Sequence, residues 1–210
     1  MYSMPGYRMY VIALFSILIT LSTAHAVPAV IIDRIVATVD SDVITYSDVK
    51  IEKAFNMTPV TDEQVLQELI DRRLLLIEAK KFKITETEEE GRKTQLRFNE
   101  IKDILGEDKF SENLKEYNLA EKDIIKILKE KNLSEKFVSF RINFFVIIPD
   151  NAIKAYYNEH KTDFTNTKPE SVNEEIKSRL FQIESRKRLQ EYMVQIRRKA
   201  KITINNSDKE

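Results

Sequence analysis

Ser171–Lys199 reads SVNEEIKSRLFQIESRKRLQEYMVQIRRK and contains neither Gly nor Pro; Pro169 stands just ahead of it, where a helix can begin. Val172, Ile176, Leu180, Ile183, Leu189, Met193, Ile196 and Ala200 recur mostly at three- and four-residue steps, which draws an apolar stripe along one helical face. Arg, Lys and Glu fill the remaining positions. At about 1.5 Å per residue such a helix runs roughly 40 Å, too long for one small partner to cover its stripe. Several earlier segments must therefore pack along it, and the last element becomes a clasp across the fold.

The earlier segments are also mostly helical. Ala29–Val39 is β-branched and predicts a strand, with Ile35, Ala37 and Val39 alternating against Arg34, Val36 and Thr38. Asp40-Ser41-Asp42 is turn chemistry, and Val43-Ile44 a short return strand. Thr45 with Asp48 opens a short helix. Thr61 or Asp62 caps a strongly apolar helix through Val65, Leu69, Ile70, Leu74 and Ile77. A third helix starts at Thr85 or Thr87 with a polar half, gains a face at Leu96, Phe98, Ile101, Ile104 and Leu105, and stops at Gly106. Short helices follow around Phe110 and Tyr117, then around Ile124 and Leu128, continuing or restarting through Phe137 and Phe140. Arg141–Ile148, RINFFVII, fits either a strand or the end of that helix, and Pro149 ends it. Asp150 caps a helix through Ile153, Tyr156 and Tyr157, and Lys201–Ile204 is a last strand suited to pair with the first. The fold class is mainly α, with a small β element joining the two ends.

Residues 1–26 have the form of a secretory signal: Arg8 is the one charge, Val11–Leu21 is almost wholly apolar, and Ala24-His25-Ala26 is a small-x-small cleavage site. Cleavage after Ala26 delivers a periplasmic protein. Uncleaved, the uncharged run Met9–Ile32 is long enough for an anchor. The remaining chain divides into a helical domain over 27–164, a linker over 165–170, a returning helix and strand over 171–204, and a frayed tail over 205–210. With no Cys in 210 residues, packing alone must hold the fold, and thiol chemistry is excluded. Lys and Arg number 34 against 34 Asp and Glu, which leaves no nucleic-acid footprint. Three Gly in the chain cannot build a phosphate-cradling loop, so nucleotide-driven work is excluded too. His160 has no nucleophile placed to pair with it, and adjacent carboxylates at Glu88, Glu89 and Glu90 point to different sides of a helix. Neither a catalytic site nor a metal or cofactor site is expected.

Aromatic residues on amphipathic helices are the informative feature. Most belong to a core; a minority left exposed would bind extended or partly folded chains by non-directional contact, with no need of nucleotide. The candidates for such a groove are Phe98, Phe110, Tyr117, Phe137, Phe140, Tyr156, Tyr157, Phe181, Tyr192 and Met193.

Four stretches carry a family resemblance. IVATVDSDVITYSDV (35–49) resembles the opening of the SurA-type periplasmic chaperones. LQELIDRRLLLIEAKKFKIT (66–85) resembles that family's next apolar helix, and IPDNAIKAYYNEHKTDF (148–164) its tyrosine-bearing helix. The clasp helix with KAKITI (199–204) is similar to the segment that returns to the N-terminal domain. The resemblance implies a helical chaperone lobe that binds unfolded outer-membrane or secreted polypeptides without ATP. Members of that family carry parvulin-type prolyl isomerase domains ahead of the returning helix, each on the order of 100 residues. Only the short linker after Phe164 stands there in this chain, so the resemblance implies a chaperone module without isomerase activity. An adaptor that binds one folded partner is the alternative, and a short linker would also let two chains exchange clasp helices as a homodimer.

Overall fold

The structure, a computed structural model, describes residues 33–57, 61–164 and 169–205, the side chains of 169–171 excepted. The expected signal sequence and the first part of the expected strand fall outside these residues. Strand β1 (Ile35–Val39) turns through Asp40 into β2 (Asp42–Thr45). Helices α1 (Tyr46–Ala54), α2 (Asp62–Lys81), α3 (Glu88–Leu105), α4 (Glu107–Glu116), α5 (Glu121–Arg141) and α6 (Asp150–Glu159) follow, and α7 (Pro169–Lys199) leads into β3 (Ile202–Ile204). The sheet order is β2-β1-β3, all antiparallel, so the last strand does pair with the first.

Local chemistry sets most of the helix starts. Thr45 accepts from the Asp48 N–H while Asp48 accepts from the Thr45 N–H, a capping box that satisfies two otherwise orphaned donors. Thr61 with Gln64 and Thr87 with Glu90 repeat the device at α2 and α3. Gly106 separates α3 from α4 at φ 77°, a backbone setting that suits a residue without Cβ.

The β1 alternation departs from the sequence pattern. Ile35 is exposed, whereas Val36, Ala37 and Val39 are all buried. A bulge between Ile35 and Ala37 places Ile35 opposite Thr45 and Ala37 opposite Ile44, so one extra residue switches the face of everything before it. Asn205, expected in a frayed tail, instead extends the sheet edge. Its N–H donates to the Val36 carbonyl at 2.9 Å and its side-chain amide to the Ile35 carbonyl at 3.1 Å.

Three apolar clusters form the core. The first joins the sheet to α2 and the end of α7 through Val36, Val39, Ile44, Leu69, Ile70, Leu74 and Ile196. The second gathers Ile51, Phe55, Phe98, Ile101, Phe110, Ile124 and Leu128 from α1, α3, α4 and α5. The third sets Ile153 of α6 and Phe164 against Val172 and Ile176 of α7. From Val172 in the third cluster to Ile196 in the first, α7 covers about 36 Å at 1.5 Å per residue. It therefore spans two separate cores. Arg197 fastens its far end, donating from Nε to Asp71 at 2.8 Å and from Nη2 to Gln67 at 3.3 Å.

Candidate functional site

The middle of α7 lies between the two cores, alongside the segment Arg141–Pro149. That segment is neither the strand nor the helix end that its sequence allows. The α5 helix stops at Arg141, a 3-10 turn takes Asn143–Phe145, and Val146 is extended at φ −85°, ψ 115°. Ile142 and Val146 point inward and are buried, at 6% and 8% exposure. Phe144 and Ile147 point outward, each at 80%. Arg188 of α7 ties the segment down by donating from Nη1 to the Phe145 carbonyl at 3.1 Å, while its Nε donates to Glu184 at 2.8 Å.

The outward residues join into one surface. Phe82, at the end of α2, has its ring centroid 6.1 Å from that of Phe140, and both are about half exposed. Phe140 and Phe144 line a depression of about 410 Å³ together with Lys136, Ser139 and Asn143. Phe144 meets Phe145 edge to face at 5.3 Å. Val146, Ile147 and Ile148 then form one wall of a second depression, of about 460 Å³, whose other wall is Glu174, Lys177, Ser178 and Phe181 of α7. A third, of about 200 Å³, lies between Phe145 and Tyr192 and is rimmed by Arg141, Arg188 and Glu191. Soluble chains seldom leave contiguous aromatic surface uncovered unless it contacts something. Charged side chains share the lining of each depression with the apolar ones. Lys136, for example, is held at the rim by the Thr85 carbonyl at 2.8 Å and by Glu90 at 2.9 Å.

The groove candidates separate accordingly. Phe98, Phe110 and Phe137 are core, not groove, and correct the expectation drawn from their helical spacing. Phe110 stacks edge-on against Phe55 at 5.5 Å and against Phe98 at 5.6 Å, where four helices close over the rings. Phe137 is fully buried beneath Phe82 and Tyr192. Tyr117 is half-buried against the second cluster, and Met193 against the first. Tyr156 stacks on His160 at 4.1 Å and accepts a hydrogen bond from Arg179 at 3.2 Å, beside the third cluster. Tyr157 is exposed but pairs with Phe164 there, away from the aromatic surface. Phe140 and Phe181 do line the depressions. Phe82, Phe144, Phe145 and Ile147 complete the surface, although the sequence singled none of them out as groove residues. The available signal was the run of apolar residues after Arg141, since a chain leaving a helix cannot bury every member of an unbroken apolar run.

Tyr192 acts as a tie. Its hydroxyl donates to Glu78 Oε2 at 3.0 Å, and the Arg141 guanidinium lies 5.3 Å above its ring. Burial first, and the bond to Glu78 second, push the phenol up to about 12. A phenol raised above its unfolded value of about 10 stabilises the fold below that pH and loses the contribution as pH climbs toward 12. Burial, and then a bond to Glu116, raise Tyr117 as well, so spectrophotometric titration should show a late-ionising fraction, and Tyr192→Phe should shrink it by one group. If the late fraction is undiminished in the variant, the hydroxyl is not the tie.

Among the described residues no group of three or more His, Cys, Asp or Glu could hold a metal ion, and no helix is long and apolar enough to cross a membrane. No protein-family model matches the chain. In sequence it is similar to the foldase protein PrsA of Clostridium botulinum. Identity is 29% over 127 residues with the Langeland strain, covering 59% of this chain and 37% of that protein. It is 32% over 113 residues with strain 657, covering 52% and 33%. The chain thus spans about a third of the length of the curated relatives it matches. In structure it aligns with a solved chain from work describing the virulence factor PEB4 and the periplasmic protein Cj1289 as two structurally related SurA-like chaperones of Campylobacter jejuni. The TM-score is 0.51 at 13% identity, over 83% of this chain and 100% of that one. Between Phe164 and Pro169 there is no room for an inserted isomerase domain. The described part of this chain has the fold of the SurA-like chaperones, a helical lobe joined by a small sheet to a long returning helix.

Proposed function

We propose that the chain is an ATP-independent chaperone of the periplasm, a holdase that shields unfolded outer-membrane or secreted proteins and has no prolyl isomerase activity. The observation that carries this reading is the continuous exposed surface Phe82–Phe140–Phe144–Phe145–Ile147 on a SurA-like fold. The names of the similar proteins, foldase and chaperone, support it. The periplasmic address rests on residues 1–26, and the working module on 27–164 closed by 171–204 across the link 165–170. Each aromatic ring is worth about 2–3 kcal/mol when fully covered, so a client held by a few partly covered rings can leave without fuel. The rim charges, Lys136, Arg141, Lys177 and Glu191 among them, would keep the loaded complex soluble.

The test is light scattering of a denatured outer-membrane protein diluted into buffer without ATP. Near-stoichiometric chain should suppress aggregation, and Phe144→Ser with Phe145→Ser should weaken the suppression several-fold. Because both side chains are exposed, the unfolding midpoint should hardly move. Unchanged aggregation in the presence of the wild-type chain would rule the holdase out, and recovery of one folded protein in its place would favour the adaptor.

A further inference from the structure

The surface has a backbone component as well as a greasy one. Val146 N–H donates back to the Asn143 carbonyl at 3.1 Å. Beyond it, Ile147 and Ile148 make no backbone hydrogen bond among the described residues, and the next bonded group is the Pro149 carbonyl, which accepts from Ala152 and Ile153. Val146 is extended, and Ile148 is held to the extended region because it precedes Pro149. Burial alternates along the strip as it does on a strand: Phe145 out, Val146 in, Ile147 out, Ile148 partly in. This is a short extended stretch whose Ile147 and Ile148 backbone groups have no partner among the described residues, with the Phe181 depression on one flank and Phe145 meeting the Phe140–Phe144 depression on the other.

We propose that Val146–Ile148 is a docking edge on which an extended client segment adds as a β-strand. Main-chain hydrogen bonds to Ile147 fix its register, and alternate apolar side chains occupy the depressions beside Phe140–Phe144 and Phe181. The proposal rests on the holdase reading and specifies its mode. It selects for extended, alternating apolar sequence, the pattern of strands that face lipid on one side, and against clients already helical, whose backbone groups are satisfied internally. An apolar groove alone would make no such distinction. The backbone groups of Ile147 and Ile148, unpaired among the described residues, favour a polypeptide strand over a lipid or a folded helix, since only the strand returns a donor and an acceptor at matching spacing.

The test uses the full chain and a fluorescein-labelled synthetic decapeptide that alternates Val or Phe with Thr. Its counterpart carries N-methyl groups at every second residue, which remove donors and leave the side chains. Anisotropy should show binding to the unmodified peptide and about tenfold weaker binding to the methylated one, the loss expected for one or two main-chain hydrogen bonds. Ile147→Pro, which deletes the N–H of an already exposed residue, should weaken binding by a similar factor; Ile147→Val, which keeps it, should bind as the wild type. Equal affinity for both peptides overturns the edge and leaves a side-chain groove, with the holdase reading intact if aggregation is still suppressed. A chain that dimerises in sedimentation and becomes monomeric with Ile147→Pro also overturns it, because a second copy would then be the occupant. Loss of both peptide binding and aggregation suppression in the wild-type chain removes the functional reading itself.

Discussion

Arg72→Met should lower the unfolding free energy by about 3–5 kcal/mol, the cost of leaving one member of a buried ion pair without its partner. Arg72 on α2 is 5% exposed and pairs through Nη1 with Glu52 of α1, which is 2% exposed. Burial is the largest influence and acts against the guanidinium charge, but the bond to Glu52 and the negative charges of Glu52, Glu68 and Glu130 together outweigh it and hold Arg72 above its ordinary value. Nη2 of Arg72 lies 3.5 Å from Glu68 Oε1 without a formed hydrogen bond, and Glu52 Oε2 has no partner. The pair is thus under-satisfied. An apolar replacement of both members should therefore restore most of the loss, because both desolvation costs vanish together. Urea unfolding of Arg72→Met, Glu52→Leu and the double variant measures this. A double variant no more stable than the worse single would mean that packing volume, not charge, is what the pair supplies. A loss under 1 kcal/mol for Arg72→Met would mean that water reaches Glu52 when the arginine is gone.

The pair also shows what a sequence can and cannot reveal. Thr45 with Asp48 was readable, and Thr61 and Thr87 were among the starts the sequence offered, because each cap is satisfied within four residues; that Thr61 caps rather than Asp62, and Thr87 rather than Thr85, was not. Most of the stripe of α7 was readable because a helix of that length imposes its own period, although Ile183, counted in the stripe, stays exposed. Glu52 and Arg72 sit on separate helices, and nothing near either residue announces the other. The same holds for the bulge at Ile35, whose register belongs to the pairing with β2. Aromatic burial is non-local for the same reason. Phe137 and Phe140 lie three residues apart on one helix, yet the first is covered by Tyr192 and Phe82 while the second stays half open. Helical spacing identifies the face of α5 but not how far the α7 clasp covers it. The outward turn at Phe144 follows from α5 ending at Arg141, where no glycine marks the stop and the apolar run continues unbroken.

That contrast sets up the second large effect. Phe137→Ala should cost about 3–5 kcal/mol, the range for deleting a fully buried ring, whereas Phe140→Ala should cost less than about 1 kcal/mol. Phe137 is at 0% exposure, 5.8 Å from Phe82 and 6.0 Å from Tyr192, so it seats both the end of α2 and the inner face of α7. Its loss would open a cavity beneath the aromatic surface and let water approach the hydroxyl of Tyr192. Because burial is the first cause of the raised phenol, Tyr192 should ionise closer to its ordinary value of about 10 in that variant. Phe137→Leu should keep much of the stability and most of the shift, which separates lost volume from lost aromatic contact. Phe140→Ala should leave the late titration in place and weaken aggregation suppression instead. The two phenylalanines then report on different things: the inner one on whether α7 is clasped to the lobe, the outer one on what the clasped lobe holds. If Phe140→Ala proved as destabilising as Phe137→Ala, Phe140 would belong to the core, and the exposed surface would begin only at Phe144.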